Sequence, residues 1–325
     1  MSTRSAALDG VRAALWEREE FSFIPDRDLE PLAGQAQTGT GPRVLFAGFP
    51  SDFSLAFLLA LLELDVEVVG LLTSPGAHES ILGDNALSRI ADHLGVALLR
   101  AWRVNDEHTL LDLTALELDA VVMASFDQIV GARALGVPRN GWMNVHPSAL
   151  PNRRGPEPVY WTIAEGDPVA GITLHRAVAK VDAGPILAQR ILDVRPDDTS
   201  GTLTRRLSEA GTAVLGAAVG RQLAGDPGDP IDLANATYAP PVGHRHVDAA
   251  PSAAAALRWI RAGVPNMPAW TLLDGEVAYV RAAHAGEPAP GQPSIAFPDG
   301  AILADEVGDQ CGCHHNLTSC PHRQE

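Results

Sequence analysis

Cysteine is missing from the first 310 residues of this 325-residue chain, and its three copies all fall in the last fifteen. No disulfide can staple the main body, and an odd count gathered at one end fits a reducing compartment better than a secreted framework. No run approaches the roughly 18–20 uninterrupted apolar residues that a membrane span requires. The opening MSTRSAALDGVRAAL also lacks an apolar signal core with a cleavage site. A cytoplasmic location without a membrane partner is the resulting expectation. Positive charge is scarce as well: 24 Lys and Arg stand against 40 Asp and Glu, a net charge of -16. Nucleic-acid affinity rests largely on cations that displace counterions, so this balance argues against a polyanionic partner. Internal repeats of convincing period are absent. The turn Gly48 to Asp52, GFPSD, resembles a ligand-binding turn but is not G-x-G-x-x-G, and no dinucleotide site follows.

What is present describes a folded chain. An apolar fraction of 46% with 20% charged is ordinary for a globular protein, and the length allows two domains of about 100–200 residues each. Residues 1–41 carry a short helical stretch, then the small polar run GQAQTGTGP, and read as an extension with a linker. From Arg43 onward, short apolar runs (RVLFAG, VEVVGLL, VALLRA, LDAVVMAS, GWMNVHPS) alternate with helical stretches (SLAFLLALLELD, NALSRIADHLG). Such alternation predicts a mostly parallel sheet with crossover helices, an α/β Rossmann-like domain over residues 42–226. It closes with the helix PVYWTIAEGD, two strands around the turn KVDAG, and a long helix ending at Gly225. The run DPGDPIDLANATYAPP marks a linker over 227–240. A helix and short strands between Val247 and Val280 predict a smaller, partly β, OB-like domain over 241–300, the chain reads as loop-rich after Gly286, and a Cys- and His-containing tail follows over 301–325.

The segment NVHPSALPNRRGPEPVYWTIAEGD, with VDAGPIL some fifteen residues later, concentrates the reactive side chains. Asn144 offers an amide donor, His146 an imidazole that donates or accepts, and Asp182 a carboxylate able to orient or charge it. Positions two apart on a strand share a face, so Asn144 and His146 emerge side by side. They do so at the carboxyl end of a strand, where open α/β sheets place ligands. Pro147 and Pro151 stiffen the loop that follows. Arg153 and Arg154 read equally as solvated charges or as partners of a substrate anion.

At these residues the chain resembles the formyltetrahydrofolate-dependent formyltransferases, whose pattern is Asn-x-His-x-Ser-Leu-Leu-Pro, then Arg-Gly and Pro, then an Asp-x-Gly turn. Here the pattern stands as NVHPSALP, RRGPEP and VDAG, and the likeness runs from about Arg43 to Ala283, through YAPPV and IRAGVPNMPAW. The resemblance implies a catalytic trio of Asn144, His146 and Asp182, with 10-formyltetrahydrofolate as formyl donor and co-substrate. It also implies a folate pocket lined by Ser148, Ala149, Leu150 and Pro151 and by the loop Phe126, Asp127, Gln128, Ile129 and Val130. Ala149 replaces the usual first Leu, and SFDQIV is a distant match to the family's Tyr-Gly-containing loop.

The implied function is transfer of a formyl group to a primary amine of a small molecule: an amino sugar, a nucleotide or a peptide-like amine. Formylation of initiator methionyl-tRNA is the alternative, and a non-catalytic folate-binding regulatory protein a second. The choice of a small amine over tRNA rests on residues 74–88. Methionyl-tRNA formyltransferases carry an insertion rich in Lys and Arg there, whereas SPGAHESILGDNALS has neither and holds Glu79 and Asp84. In the tail, Cys311, Cys313, His314, His315, Cys320 and His322 lie within twelve residues. These types suit zinc, but their spacing matches no standard C-x-x-C finger, and the sequence predicts no metal site.

Overall fold

The computed structural model describes residues 5–22, 32–36, 38–74, 85–288 and 291–309. Its main domain runs α1 (Ala6–Glu17), β1 (Arg43–Gly48), α2 (Asp52–Leu61), β2 (Glu67–Thr73), α3 (Ala86–Leu94), β3 (Ala97–Arg100), α4 (Glu107–Ala115), β4 (Ala120–Ala124), α5 (Ala132–Leu135) and β5 (Trp142–His146). It continues with α6 (Pro158–Glu165), β6 (Val169–Arg176), β7 (Ile186–Asp193) and α7 (Ser200–Leu223). Seven strands form one sheet in the order β3-β2-β1-β4-β5-β6-β7. β1 through β5 are parallel, β6 runs antiparallel to β5, and β7 runs antiparallel to β6.

The local sequence explains the layers. β1 and β4 are buried almost throughout, as strands covered on both faces must be, and read as continuous apolar runs. α2 is apolar all round because the sheet covers one side and α1 and α7 the other. α7 starts on a capping box, in which Thr199 and Thr202 each satisfy the other's backbone N–H.

A second, four-stranded antiparallel sheet has the order β10-β11-β9-β8, from β8 (Ala269–Leu273), β9 (Glu276–Ala285), β10 (Ser294–Phe297) and β11 (Gly300–Gly308). α8 (Ala253–Gly263) packs on this sheet and against α6 of the main domain. At that joint the Arg245 guanidinium carbon lies 4.8 Å from the Trp161 ring centre and 4.4 Å from that of Trp259.

Two expectations are corrected. The stretch 1–41 is not merely an extension with a linker, because α1 belongs to the main core. Leu8, Val11 and Leu15, spaced to share one helix face, are buried with Phe21 against the α2 side of the sheet. Beyond α1 the chain stays attached. Arg18 pairs with buried Asp52 at 2.5 Å, and Ser22 and Asp52 exchange backbone and side-chain bonds at 2.8 and 3.1 Å. The stretch after Gly286 is not loop-rich as expected, since it forms the β10–β11 hairpin, and most of β11 lies in residues 301–308, assigned above to the tail. β10 is only four residues long and is held by pairing with β11, which in turn pairs with β9, and such pairing is not revealed by local sequence. The Cys and His cluster, from Cys311 on, and most of the segment 74–88 lie outside the described residues.

Candidate active site

β5 delivers Asn144 and His146 to the carboxyl end of the sheet, and the turn between β6 and β7 delivers Asp182. Asp182 adopts a left-handed φ of 49°, a conformation Asp tolerates better than most residues. Asn144 Nδ2 donates to Asp182 Oδ1 at 3.2 Å, and Gly155 N–H donates to Asp182 Oδ2 at 2.9 Å. His146 Nδ1 lies 3.8 Å from Asp182 Oδ2, and its Nε2–H donates to the Arg153 carbonyl at 2.9 Å. His146 is 5% exposed and Asp182 8%. The three residues singled out from sequence thus converge in one cluster, His146 and Asp182 buried and Asn144 half-buried.

Electrostatics divides their roles. Burial lowers the His146 pKa, outweighing the charge of Asp182, which raises it. Burial alone would raise the Asp182 carboxyl. The bond with His175, the charge of His146 and the Gly155 N–H together bring it down to about 2. A neutral imidazole therefore faces a fixed carboxylate. With Nε2–H held by Arg153, the free nitrogen is Nδ1, and a proton gained there comes to lie between ring and carboxylate.

His175 was not singled out from sequence. It is 1% exposed, stands directly opposite Asn144 in the β5–β6 ladder, and places Nε2 3.6 Å from Asp182 Oδ1 and 3.4 Å from Asn144 Nδ2. Its Nδ1 lies 3.0 Å from the Arg176 carbonyl. The strand ITLHRAV was legible, but the antiparallel register that puts position 175 against 144 was not.

The loop from Ser148 to Pro151 follows His146 directly and is pinned from below. Thr173 Oγ1 donates to the Ser148 carbonyl at 2.7 Å and accepts from Leu150 N–H at 3.3 Å, and Gln189 Nε2 donates to the Leu150 carbonyl at 3.1 Å. Ala149 lies so close to β6 that a Cβ on Gly171 would sit 2.7 Å from its Cα, so a glycine there lets the loop rest on the strand. The other expected lining, Phe126 to Val130, leaves the end of neighbouring β4. Gln128 is committed to Val104 N–H and the Ala101 carbonyl at 2.7 and 2.6 Å, and Val130 is buried. Phe126 is half-buried, Asp127 accepts from Ser74 Oγ at 3.0 Å, and Ile129 is exposed. Arg153 is neither solvated nor free for an anion, whereas half-buried Arg154 bonds to a backbone carbonyl and, among the described residues, to no carboxylate. Arg153 is bidentate to Asp167 at 2.8 Å, and Arg154 donates to the Val181 carbonyl at 3.0 Å. No group of three or more His, Cys, Asp or Glu among the described residues is arranged to hold a metal.

A family profile described as formyl transferase matches residues 55–219. The chain belongs to the formyl transferase family. Two curated relatives of this formyl transferase are the methionyl-tRNA formyltransferase of Acidothermus cellulolyticus, 34% identical over 273 residues, and that of Bacillus licheniformis, 32% over 272. The alignments cover 82% and 81% of this chain and 83% and 86% of the relatives. Among solved structures, a sugar N-formyltransferase from Shewanella sp FDAARGOS_354 superposes with a TM-score of 0.59 at 20% identity, over 74% of this chain and 97% of that one. HypX from Aquifex aeolicus in complex with tetrahydrofolic acid superposes with a TM-score of 0.58 at 17% identity, over 82% of this chain and 44% of that one. Both share the fold of this formyl transferase.

Proposed function

We propose that this formyl transferase moves the formyl group of 10-formyltetrahydrofolate onto a primary amine of a small molecule, an amino sugar, a nucleotide or a peptide-like amine, using Asn144, His146 and Asp182. The observation that carries the reading is the convergence of an amide donor, a neutral imidazole and a fixed carboxylate at the carboxyl end of β5. Formyl transfer needs each of them. Attack by the amine nitrogen on the formyl carbon creates an oxyanion. Asn144 keeps one amide hydrogen on Asp182 and turns the other from its long contact with His175 to that oxygen. His146 accepts the proton the attacking nitrogen sheds, and Asp182 stabilises the imidazolium that results. The carbon–nitrogen bond to the folate then breaks, and His146 returns the proton to the departing nitrogen. An intact trio of this kind also weighs against a purely regulatory folate-binding role.

The folate is a substrate, and what surrounds the trio fits one. Half-buried Phe126 and exposed Ile129 offer apolar surface at one edge, while Ser148 to Pro151 form a backbone wall held by Thr173 and Gln189. One structural neighbour was solved with tetrahydrofolic acid, and another, the sugar 3N-formyl transferase WlaRD, in the presence of dTdp and 5-N-Formyl-THF.

A second reading, formylation of initiator methionyl-tRNA, is favoured by the two curated relatives. Charge favours the small amine. Residues 241–309 hold four arginines against eight Asp and Glu. Two of the four are turned into the domain joint, Arg245 between tryptophans and Arg258 onto the Ala164 carbonyl at 3.2 Å. Few cations remain for phosphates. The experiment is transfer of a labelled formyl group from 10-formyltetrahydrofolate to a panel of small amines and to charged initiator tRNA. Labelled small amine and no tRNA product is the expected result. Salt-sensitive tRNA binding with faster tRNA formylation replaces it with the second reading.

A further inference from the structure

Tyr238 is an aromatic residue that the mechanism above does not use. It lies in the linker and is 58% exposed, and a ring this open contributes little to folding. Its backbone is nevertheless clamped to the loop that follows β5, where Arg154 and Tyr238 pair side by side as a short parallel bridge. Arg154 N–H donates to the Thr237 carbonyl at 3.0 Å, Ala239 N–H donates to the Arg154 carbonyl at 2.6 Å, and Arg153 N–H donates to Thr237 Oγ1 at 2.9 Å. These bonds fix where the side chain starts, which lowers the ordering cost for a ligand that packs on it.

The ring itself reaches the site. A Cβ on Gly155 would lie 2.6 Å from Tyr238 Cε2 and 2.8 Å from Cζ, so the ring rests directly on Gly155, and only a glycine admits it. Gly155 in turn donates its N–H to Asp182 Oδ2 at 2.9 Å. With ordinary bond lengths between these atoms, Cε2 stands no more than about 8.5 Å from the Asp182 carboxylate. Cζ carries the hydroxyl, which has no protein partner among the described residues. One side of the ring lies on Gly155 and more than half of the residue is open, so an uncovered aromatic surface stands within a small molecule's length of the trio.

The surfaces assigned above to folate, Phe126 to Val130 and Ser148 to Pro151, come from the end of β4 and the turn after β5. Tyr238 comes from the linker and supplies a third wall, left for the other substrate. We propose that Tyr238 is a specificity-determining residue for the acceptor: its open side packs on the ring that carries the amine, so that amines borne on a sugar or a nucleoside are preferred over open-chain amines. A tyrosine suits this task, because it offers a large rigid apolar face with a polar tip. Arg154 keeps the alignment. Its backbone belongs to the bridge with Tyr238, and its guanidinium holds the Val181 carbonyl at 3.0 Å, next to Asp182, so a ring seated on Tyr238 is in register with the carboxylate. This assignment rests on the reading of the site as a small-amine formyltransferase.

The test compares wild type with Tyr238→Ala, which removes the ring, and Tyr238→Phe, which keeps it, on an amino-deoxyhexose, an amino-deoxynucleoside and the open-chain amine glycinamide. In formyl transfer, Tyr238→Ala is expected to raise KM for the ring-borne amine that wild type uses best by about 5–100-fold, the range for losing one stacked ring. KM for glycinamide and for 10-formyltetrahydrofolate is expected to hold, and Tyr238→Phe to stay close to wild type. The ring amine that suffers the larger rise identifies whether a sugar or a base packs on Tyr238. An unchanged KM, an equal rise for glycinamide, or a rise for 10-formyltetrahydrofolate overturns the proposal, the last because it places the ring against folate. Calorimetric titration of the same amines with tetrahydrofolate present needs no turnover and separates the proposal from the reading it rests on. Ring-amine binding that weakens in Tyr238→Ala and persists in Tyr238→Phe supports Tyr238 even where no formyl group moves, a result that defeats only the formyl-transfer reading. Equal ring-amine affinity in wild type and Tyr238→Ala, or no preference for ring amines over glycinamide, overturns it.

Discussion

At the scale of the residue, the trio makes firm demands. His146→Ala and Asp182→Ala are each expected to lower turnover by about 100-fold or more with the fold retained, the usual loss when one positioned acid–base or oxyanion group goes. Circular dichroism beside steady-state kinetics checks this, and near wild-type turnover in either variant removes that residue from the mechanism. Asn144→Asp is expected to be as damaging as Asn144→Ala, because a carboxylate repels the oxyanion that the amide would bind. The pH behaviour has a definite sign. The His146 pKa is lowered in the folded state, so the unfolded chain takes up its proton first as pH falls below the ordinary value of about 6.5. Stability contributed by the neutral form is therefore present above that pH and lost on acidification below it. Asp182 holds its charge down to about 2, and its contribution, present above the ordinary carboxylate range, is lost only towards that pH. Because the Asp182 charge raises the His146 pKa, Asp182→Asn is expected to move the His146 imidazole titration, followed by NMR, to still lower pH. A shift upward contradicts the pairing.

At the scale of the element, the amino-terminal helix is the part whose role the chain order hides. Its apolar residues belong to the same core as α2 and α7. Leu15→Ala is therefore expected to destabilise the protein by about 2–5 kcal/mol, the usual range for emptying a buried leucine site, as read by denaturant unfolding. A change under about 0.5 kcal/mol, typical of a surface position, returns α1 to the status of an appendage. The strands from Arg43 to Asp193 and the helices α2, α3, α6 and α7 were legible because they carry their own period, continuous for the buried strands and amphipathic for α3, whereas the short helices α4 and α5 were not read from sequence. The hairpin of β10 and β11 was not, because four residues of SIAF hold too little local preference to declare a strand without its neighbour.

At the scale of the whole molecule, the linker and the joint bind the two domains to the site loop. The linker's Thr237 and Ala239 exchange backbone bonds with Arg154 at 3.0 and 2.6 Å, so the same stretch that joins the domains also braces the loop carrying Gly155. Gly155 has φ 106°, and a Cβ there would meet the Tyr238 ring at 2.6 Å. Arg245, stacked between Trp161 and Trp259, fastens the joint, each such contact contributing about 0.5–2 kcal/mol. Arg245→Ala is expected to raise limited-proteolysis rates within residues 227–246 several-fold while leaving unfolding of the main domain little changed. Equal cleavage rates show that the stacking does not hold the joint.

The residue types and their order were set by sequence alone: Asn144 and His146 two apart on a buried strand, Asp182 in a following turn, and alternating elements that require a parallel sheet. Those statements concern neighbours along the chain, where φ and ψ preferences and side-chain period act directly. Tertiary structure alone decided that His175 stands against Asn144, that Gln128 is tied to backbone and unavailable to a ligand, and that Arg153 is neutralised by Asp167. Each of these depends on register or packing between segments distant in sequence, and a shift of one residue in strand pairing would reverse which face every side chain takes.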